Sequence, residues 1–287
     1  MVSDDFKVRD LKKEDAPAAM LLSVEAGWNQ TISDWTFLIE DTRNICVAAL
    51  HKDEIIATTI AICYTHQLAW IGMVLVKKTY RGKGISKVLL THVLEKLQFS
   101  HSIKLDATEE GRKLYEKFGF EDEYAIARLV TTEVNTIDVP IGSATLQLIQ
   151  PQHIPDIITM DESVFGVNRA RLIDSLINQY PHKAWVLLQG NHISGFALGR
   201  EGRNYHQIGP FAATSQLNAD LLIQHVLSKL NGLSVVIDVP CDKEQFIHSL
   251  ISAGFSTQRY FTRMYKTGNP FPGYSNNQYA ICGPEFG

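Results

Sequence analysis

The 287-residue chain is 45% hydrophobic and 20% charged, a composition typical of a soluble globular protein with one large or two ordinary domains. A net charge of −4 at pH 7 argues against nucleic acid as the main partner, because such proteins need a concentrated basic surface. The four cysteines are widely spaced without a C-x-x-C pair, so the sequence predicts free thiols in a reducing cytoplasm, no disulfide framework and no metal site.

The first 132 residues show a regular order of predicted elements, namely strand, two helices, three strands, helix, strand, helix and strand. The predicted segments are strand 6–11, helix 15–25, a short helix opened by Thr31 or Ser33, strands 45–50, 55–63 and 70–76, a helix from Ile85, strand 103–107, helix 111–118 and a strand from Phe120.

One part of this series has the length of a membrane span. Residues 55–76 contain no Asp, Glu, Lys or Arg. They include Thr58 and Thr59, however, and Thr65-His66-Gln67 is typical of a turn between two strands. We therefore predict two central strands and no membrane partner. The acidic, polar start of the chain also predicts no signal peptide.

The most informative stretch runs from Trp70 to Leu97. A buried strand is predicted to end at Val76, and a helix is predicted to follow the glycine-rich turn Arg81-Gly82-Lys83-Gly84-Ile85-Ser86. This arrangement suits a phosphate group, because the first N–H groups of a helix are unpaired and carry partial positive charge. The turn is neither a P-loop nor a G-x-G-x-x-G motif, and taken alone it is equally compatible with an ordinary solvated turn.

Two motifs carry a family resemblance. Arg81-x-x-Gly84-x-Ser86 resembles the Q/R-x-x-G-x-G/A turn with which the GNAT (GCN-related N-acetyltransferase) superfamily binds the pyrophosphate of acetyl-CoA, with Ser in place of the last Gly or Ala. The segment Leu114–Phe120, LYEKFGF, resembles the closing L-Y-E-K-x-G-F segment of that family. Both motifs occur in the family's order and are separated by a helix and a strand. On this basis the first half is identified as a GNAT unit.

The second half repeats the pattern of the first. Gly72 and Gly209 lie in similar predicted strands 137 residues apart, and Gly119 and Gly254 lie in similar turns 135 residues apart. Such a near-constant offset indicates an internal duplication. The expected fold is therefore α/β, with two tandem GNAT-like units that each have a mostly antiparallel mixed sheet flanked by helices. Across nearly its whole length the chain resembles the bacterial tandem-GNAT proteins of the YitH type.

The two predicted units differ in their motifs. The expected boundaries are 1–132 for a catalytic unit that binds acetyl-CoA and 145–287 for a degenerate unit. The second unit has the sequence ATSQLN at 213–218 where the first has its glycine turn, and Leu250 where the first has Tyr115. We therefore expect the second unit to have lost acetyl-CoA binding and catalysis, and to support and shape the acceptor pocket.

The resemblance implies a set of residues that bind acetyl-CoA. The amides of 82–86 would hold the pyrophosphate, with charge added by Arg81 and Lys83, although Lys83 could also be a solvated surface residue. The end of the preceding strand would bend away from its neighbour and bind the pantetheine arm, with one N–H polarising the thioester. The predicted cofactor-binding residues are Val74, Leu75, Val76, Arg81, Gly82, Lys83, Gly84, Ile85, Ser86 and Thr108, the last in a position where many members carry Asn.

Tyr115 is the predicted catalytic acid. A phenol with a pKa near ~10 stays protonated at neutral pH and can donate to a thiolate whose pKa is about 8.5. The alternative is a tyrosine that only packs beside Leu114 and Phe118. The general base stays open, because a water chain could also carry the proton. The candidate bases are Asp34, His66, Asp106 and Glu109.

The predicted acceptor site lies between the first two helices, a segment that covers the acceptor in GNAT enzymes. Its candidate residues could hold a cationic or amphipathic small molecule, and they are Trp28, Asn29, Asp34 and Trp35. The alternative is that Trp35 belongs to the core and Asp34 to the start of a helix. Arg263 and Tyr265 of the second unit could reach the pocket from outside.

The sequence thus predicts an acetyl-CoA-dependent N-acetyltransferase that acts, as a monomer or homodimer, on the amine of a small molecule or amino acid. Direct attack is expected, because Cys46 and Cys63 lie in apolar strands and not beside the thioester. Two alternatives stay open. One is a protein lysine or N-terminal acetyltransferase, and the other is a non-catalytic acyl-CoA sensor.

Overall fold

The structure is a computed structural model that describes residues 6–134 and 144–287. The order of elements predicted for the first half is confirmed. Its strands are β1 (Lys7–Asp10), β2 (Ile45–His51), β3 (Glu54–Cys63), β4 (Leu68–Val76), β5 (Ser102–Ala107) and β6 (Glu121–Thr131). Its helices are α1 (Ala16–Ala26), α2 (Ile32–Glu40), α3 (Ile85–Lys96) and α4 (Glu109–Glu116).

The second half repeats this order of strands and helices. Its strands are β7 (Ala144–Leu148), β8 (Ala184–Gln189), β9 (His192–Arg200), β10 (His206–Ala213), β11 (Val235–Pro240), β12 (Ser256–Lys266) and β13 (Gln278–Ala280). Its helices are α5 (Ile154–Phe165), α6 (Ala170–Gln179), α7 (Gln216–Lys229) and α8 (Glu244–Ser252). In the described ranges, no helix combines the length and the apolar character needed to cross a membrane. Between the two predicted units, residues 135–143 lie outside the described residues.

Two helix starts show how local side chains set the boundaries. The hydroxyl of Thr31, and not that of Ser33, accepts a hydrogen bond from the backbone N–H of Asp34 at 3.3 Å and so caps α2. Helix α4 begins at Glu109, two residues earlier than predicted. The Thr108 hydroxyl causes this earlier start, because it accepts a hydrogen bond from the Gly111 N–H at 3.2 Å.

The two halves share one sheet. Among the described residues its strand order is β1-β2-β3-β4-β5-β12-β6-β11-β10-β9-β8-β7, with β13 beside β10. Strand β12 from the second half pairs antiparallel with β5 and β6, and β6 pairs on its other side with β11. Each half therefore gives a strand to the sheet of the other, an exchange that the sequence analysis did not predict.

Two buried ion pairs lie at this exchange and occupy matching positions. Arg263 of β12 donates to both carboxylate oxygens of Asp106 on β5, at 2.9 and 3.0 Å. Arg128 of β6 donates in the same way to Asp238 on β11, at 2.7 and 2.8 Å. Bidentate pairs of this kind fix orientation as well as adding energy. Each exchanged strand is thus held by its arginine to the central strand of the opposite half.

Candidate active site

The candidate site begins where β4 separates from β5. The two strands pair in parallel from Leu68–Ser102 to Ile71–Leu105, and beyond Ile71 β4 pairs with β3 on its other side. The register of β4 on β3 shifts at this point, Met73 has a φ of 54°, and the Thr58 hydroxyl donates to the Met73 carbonyl at 2.8 Å. Residues 72–76 therefore present backbone groups to an opening in the sheet.

The equivalent opening in the second half is filled by the chain itself. Strands β10 and β11 pair only from His206–Val235 to Ile208–Ile237. Beyond that point β13 pairs with Phe211 and Ala212 of β10, and the Ile281 N–H donates to the Asp238 carbonyl of β11 at 3.0 Å. Residues 278–281 thus close the cleft in which the second unit would hold a cofactor.

In the first half the opening leads into a cavity of about 1270 Å³. Its walls come from β4, the turn before α3, the start of α4, strand β12 and the C-terminal tail. Of the predicted cofactor-binding residues, the lining includes Val74, Leu75, Val76, Arg81, Gly82, Gly84, Ile85, Ser86 and Thr108, and it also includes Tyr115. The structure therefore brings together nine of the ten predicted cofactor-binding residues with the predicted acid.

The glycine turn is built to present backbone amides. Gly82 and Gly84 have φ values of 76° and 80°, the left-handed region that favours glycine. A Cβ added at either glycine would meet no atom within 4 Å, so the space beside the turn is open. Helix α3 starts at Ile85, and its first N–H groups have no partner within the helix. This cradle fits a phosphate group by shape and by charge.

The two basic residues of the turn point in different directions. Arg81 lines the cavity and its Nε donates to the Val76 carbonyl at 3.2 Å. Lys83 lies on a smaller neighbouring pocket of about 280 Å³, with its Nζ 4.9 Å from the centre of the Tyr80 ring. The structure thus places Arg81 beside the amide cradle and Lys83 outside the large cavity.

Tyr115 lies on α4 with its ring packed edge-on against Phe120, at 5.9 Å between ring centres. A Cβ on Gly111 would come within 3.1 Å of the Tyr115 ring, so the glycine makes room for it. Burial raises the pKa of the Tyr115 phenol above its usual value near 10. The phenol therefore stays protonated throughout the neutral range, and Tyr115 is one of the residues that line the cavity.

The four candidate bases lie in different surroundings. Asp106 is a cavity residue, but its side chain is fully buried and both oxygens are held by Arg263. Asp34 is buried beside Thr31 and Arg200, outside the residues that line the cavity. Glu109 is exposed at the rim, and His66 is exposed in the turn between β3 and β4.

The four predicted acceptor residues are separated by the fold. Trp28 is half-buried and lines the cavity. Trp35 is a core residue whose Nε1 donates to the Ser23 hydroxyl at 3.2 Å. The Asn29 amide oxygen accepts hydrogen bonds from the backbone N–H groups of residues 204 and 205, both at 3.0 Å. Asn29 therefore joins the two halves, while Asp34 orders the start of α2 and pairs with Arg200.

Several cavity residues were not among the sequence candidates. Tyr260 and Thr262 of β12 line the cavity, and the next residue, Arg263, donates to Asp106 on β5. Tyr265 instead donates to the Glu121 carboxylate at 3.0 Å. If the position of β12 beside β5 had been known, the alternation of side chains along β12 could have identified Tyr260 and Thr262 as cavity residues. The other lining residues that the sequence analysis did not name include Gln258, Arg259, Pro284 and Glu285.

Comparison with protein families finds the same type of domain twice. A family model described as an acetyltransferase (GNAT) domain matches residues 41–122. A second model with the same description matches residues 157–280. The two matches fall in the two halves that the internal repeat defines, and the first contains both the glycine turn and Tyr115.

Two relatives and one solved structure resemble most of the chain. The holothin acyltransferase of Pseudoalteromonas sp. (strain SANK 73390) is 29% identical over 237 residues, which are 82% of this chain and 79% of the relative. The uncharacterized N-acetyltransferase YitH of Bacillus subtilis (strain 168) is 24% identical over 246 residues, 85% of this chain and 86% of the relative. A Pyrococcus horikoshii protein assigned as an acetyltransferase has a similar fold, with a TM-score of 0.81, 22% identity and coverage of 99% and 96% of the two chains.

Proposed function

Because the chain belongs to the GNAT acetyltransferases, with two domains of that family in tandem, we propose that it transfers an acetyl group from acetyl-CoA to the amine of a small molecule. The observation that carries this proposal is the cavity of the first half, in which the amide cradle, the open edge of β4 and Tyr115 meet. The second half contributes a wall of the same cavity through β12 and the tail.

The proposed binding of acetyl-CoA uses backbone groups first. The amides of 82–86 and the Arg81 guanidinium hold the pyrophosphate at the start of α3. The open edge of β4 at Val74–Val76 holds the pantetheine arm, and one of its N–H groups points at the thioester oxygen. Such a donor stabilises the negative charge that develops on that oxygen during attack, as an oxyanion hole does.

The proposed reaction is direct attack. The amine nitrogen forms a bond to the thioester carbon, the carbon–sulfur bond breaks, and the leaving thiolate takes the Tyr115 proton. Burial holds the phenol in the protonated form that this step requires. Burial also raises the pKa of the Cys46 thiol to about 12 and raises that of Cys63, so both are poor nucleophiles. These thiols support a route without an acetyl-cysteine.

The walls of the cavity favour a small acceptor over a protein. Strand β12, the tail, the turn and α4 all contribute lining residues, and Trp28 and Tyr260 are aromatic residues among them. A relative of similar length is named for the acylation of holothin, which supports a small-molecule acceptor here too. Tyr115 in the cavity supports an enzyme over an acyl-CoA sensor. We also propose a cytoplasmic protein, monomer or homodimer, in keeping with its four free cysteines.

Acetyl-CoA binding is tested by changing the cradle. We expect Gly84→Val to weaken acetyl-CoA binding at least about tenfold in calorimetry, ~1.4 kcal/mol, because the side chain enters the space that the pyrophosphate needs. The matched control is Gly232→Val, since Gly232 also has positive φ (75°) and open space but lies outside the cavity. Equal affinity in both variants and the wild type would mean that the cradle does not bind the cofactor.

The acceptor class is tested by a turnover screen. Release of CoA thiol from acetyl-CoA is followed with amino acids, polyamines, amino sugars and short peptides as acceptors. We expect turnover with a small amine and none above background with peptides. Preferential turnover of peptides would favour the protein acetyltransferase alternative, and binding of acetyl-CoA without any turnover would favour a sensor.

A further inference from the structure

The C-terminal tail crosses from the second half to the opening of the first. After residues 278–281 fill the cleft beside β10, the chain continues along β4. The Trp70 Nε1 donates to the Pro284 carbonyl at 3.0 Å, and the Tyr64 hydroxyl donates to the Phe286 carbonyl at 2.6 Å. A Cβ on Gly72 would lie 3.0 Å from the Glu285 Cα. The tail is thus fixed against β4 where it leaves β5, and Glu285 lines the cavity there.

Glu285 belongs to a buried group of three charges. Its Oε1 accepts a hydrogen bond from the Arg200 Nη2 at 2.5 Å, and the Arg200 Nη1 donates to Asp34 at 2.9 Å. The side chains of all three are at most 7% exposed. One guanidinium therefore serves two carboxylates. Because two ionised carboxylates would exceed its single positive charge in a buried site, the group favours an added proton or cation, and burial together with Glu285 raises the pKa of the Asp34 carboxyl.

The hydrogen-bond partners of Asp34 and Glu285 indicate which of the two carboxylates can contact a molecule in the cavity. Asp34 also accepts hydrogen bonds from the Thr31 N–H at 2.7 Å and the Thr31 hydroxyl at 2.9 Å, so it is held inside the protein. Glu285 is the member of the group that lines the cavity. The other charged or titratable groups near Glu285 are Arg128 of β6 and Cys282 of the tail.

Resting on the proposed acetyl transfer, we propose that Glu285 is the carboxylate of the acceptor site. It binds the ammonium form of the incoming amine and accepts one proton from it. The neutral amine then forms the carbon–nitrogen bond as the carbon–sulfur bond breaks, and Tyr115 protonates the leaving sulfur. After the transfer the amide nitrogen loses its surplus proton and Glu285 releases the proton that it accepted; one of the two restores the Tyr115 phenol and the other passes to solvent. The acceptor class is a small primary amine, cationic in solution, with an aromatic or apolar body.

The other acidic groups of the cavity are less suited to this role. Both oxygens of Asp106 are occupied by Arg263. Glu109 and Glu110 are exposed in the first turn of α4, and water screens their charge. Trp28 and Tyr260 line the same cavity as Glu285, and aromatic side chains suit an apolar or aromatic body of the amine.

The test uses 2-phenylethylamine as probe acceptor and Glu285→Gln as the variant, since glutamine keeps the shape and the acceptor oxygen for Arg200 but has no basicity. At pH 7 we expect kcat/KM for the probe to fall at least about tenfold, with acetyl-CoA affinity within about twofold of wild type. The deficit should shrink as pH rises, because the neutral amine becomes abundant in solution. Glu285→Asp should keep the pH profile of the wild type. The control is Glu201→Gln, an exposed neighbour of Arg200 outside the cavity.

The outcomes separate this inference from the proposal on which it rests. If Glu285→Gln transfers at the wild-type rate with the wild-type pH profile, Glu285 is not the acceptor carboxylate, while acetyl transfer stands. If the wild type binds acetyl-CoA but acetylates no 2-phenylethylamine, the inferred acceptor class is wrong. If the wild type does not bind acetyl-CoA, the proposed function fails first and this inference fails with it. A rate deficit in Glu285→Gln that is equal at all pH values would assign Glu285 a purely structural role and overturn the inference.

Discussion

Replacing Tyr115 with Phe is expected to lower kcat by about 10²–10⁴-fold, the usual contribution of a general acid. The variant keeps the ring that packs against Phe120 and loses the only group of that side chain that can protonate the leaving thiolate. Burial raises the pKa of the phenol, so the wild type keeps this proton across the neutral range. The loss should therefore be nearly independent of pH between about 6 and 9. The measurement is CoA thiol release at saturating acetyl-CoA.

Acetyl-CoA affinity and thermal stability provide the controls for this variant. Both should stay close to wild type, because the phenylalanine ring fills the same space beside Gly111. Tyr274→Phe makes the same chemical change at a residue that is 52% exposed and lies outside the cavity, and it should leave kcat unchanged. If Tyr115→Phe keeps kcat within about threefold of the wild type, Tyr115 is a packing residue and another proton donor must be sought.

Arg263→Met is expected to lower the free energy of unfolding by about 3–5 kcal/mol, the cost of leaving a buried carboxylate without its partner. The variant removes both hydrogen bonds to Asp106, whose side chain is fully buried, and the stacking of the guanidinium 4.5 Å from the Trp70 ring. Denaturant unfolding at pH 7 measures the loss. Methionine keeps most of the apolar volume, so the effect reports the charge and not a cavity.

The pH dependence of this loss has a defined sign. Burial raises the pKa of the Asp106 carboxyl, and without Arg263 the main opposing influence is gone. A carboxyl whose pKa is raised on folding contributes fully to the free energy of unfolding at low pH. It loses this contribution as the pH rises through its pKa in the folded state. The deficit of Arg263→Met should therefore be smaller at pH 5 than at pH 7.

A surface pair provides the comparison for the buried one. Arg112 pairs with Asp122 where both side chains are more than 40% exposed, and Arg112→Met should cost less than about 1 kcal/mol. Adding Asp106→Asn to Arg263→Met should recover part of the loss, because no buried charge then lacks a partner. Equal losses in Arg263→Met and Arg112→Met would show that the Asp106–Arg263 pair does not stabilise the exchanged strand.

The sequence was informative wherever structure depends on neighbours along the chain. The turn at 81–86 carries its own glycines and its own helix start, and the segment at 114–120 carries its own stop. Both are local patterns, so their residues were found by reading the chain. The strand exchange was not found because alternation in β6 and β12 states which face is buried and does not state which strand lies alongside.

The acceptor side was harder to predict for a related reason. Asp34 looked like a ligand because it lies between two tryptophans, but its role depends on Arg200, which lies 166 residues away in the chain. Glu285 lies in an irregular tail whose sequence has no hydrophobic periodicity. Its position depends on contacts of the tail with Gly72 and Trp70 of β4, which the sequence does not reveal. Long-range partners of single polar residues leave no mark in local sequence.

The placement of residues 278–287 also bears on how the two units can evolve. One continuous segment closes the cleft between β10 and β11 and then delivers Pro284 and Glu285 to β4. Mutations that reopened the second cleft would have to displace this segment and would remove a wall from the first cavity. The filled cleft beside β10 and the wall of the first cavity therefore depend on one stretch of chain. A change in either place constrains the other, so the two units cannot diverge independently of each other.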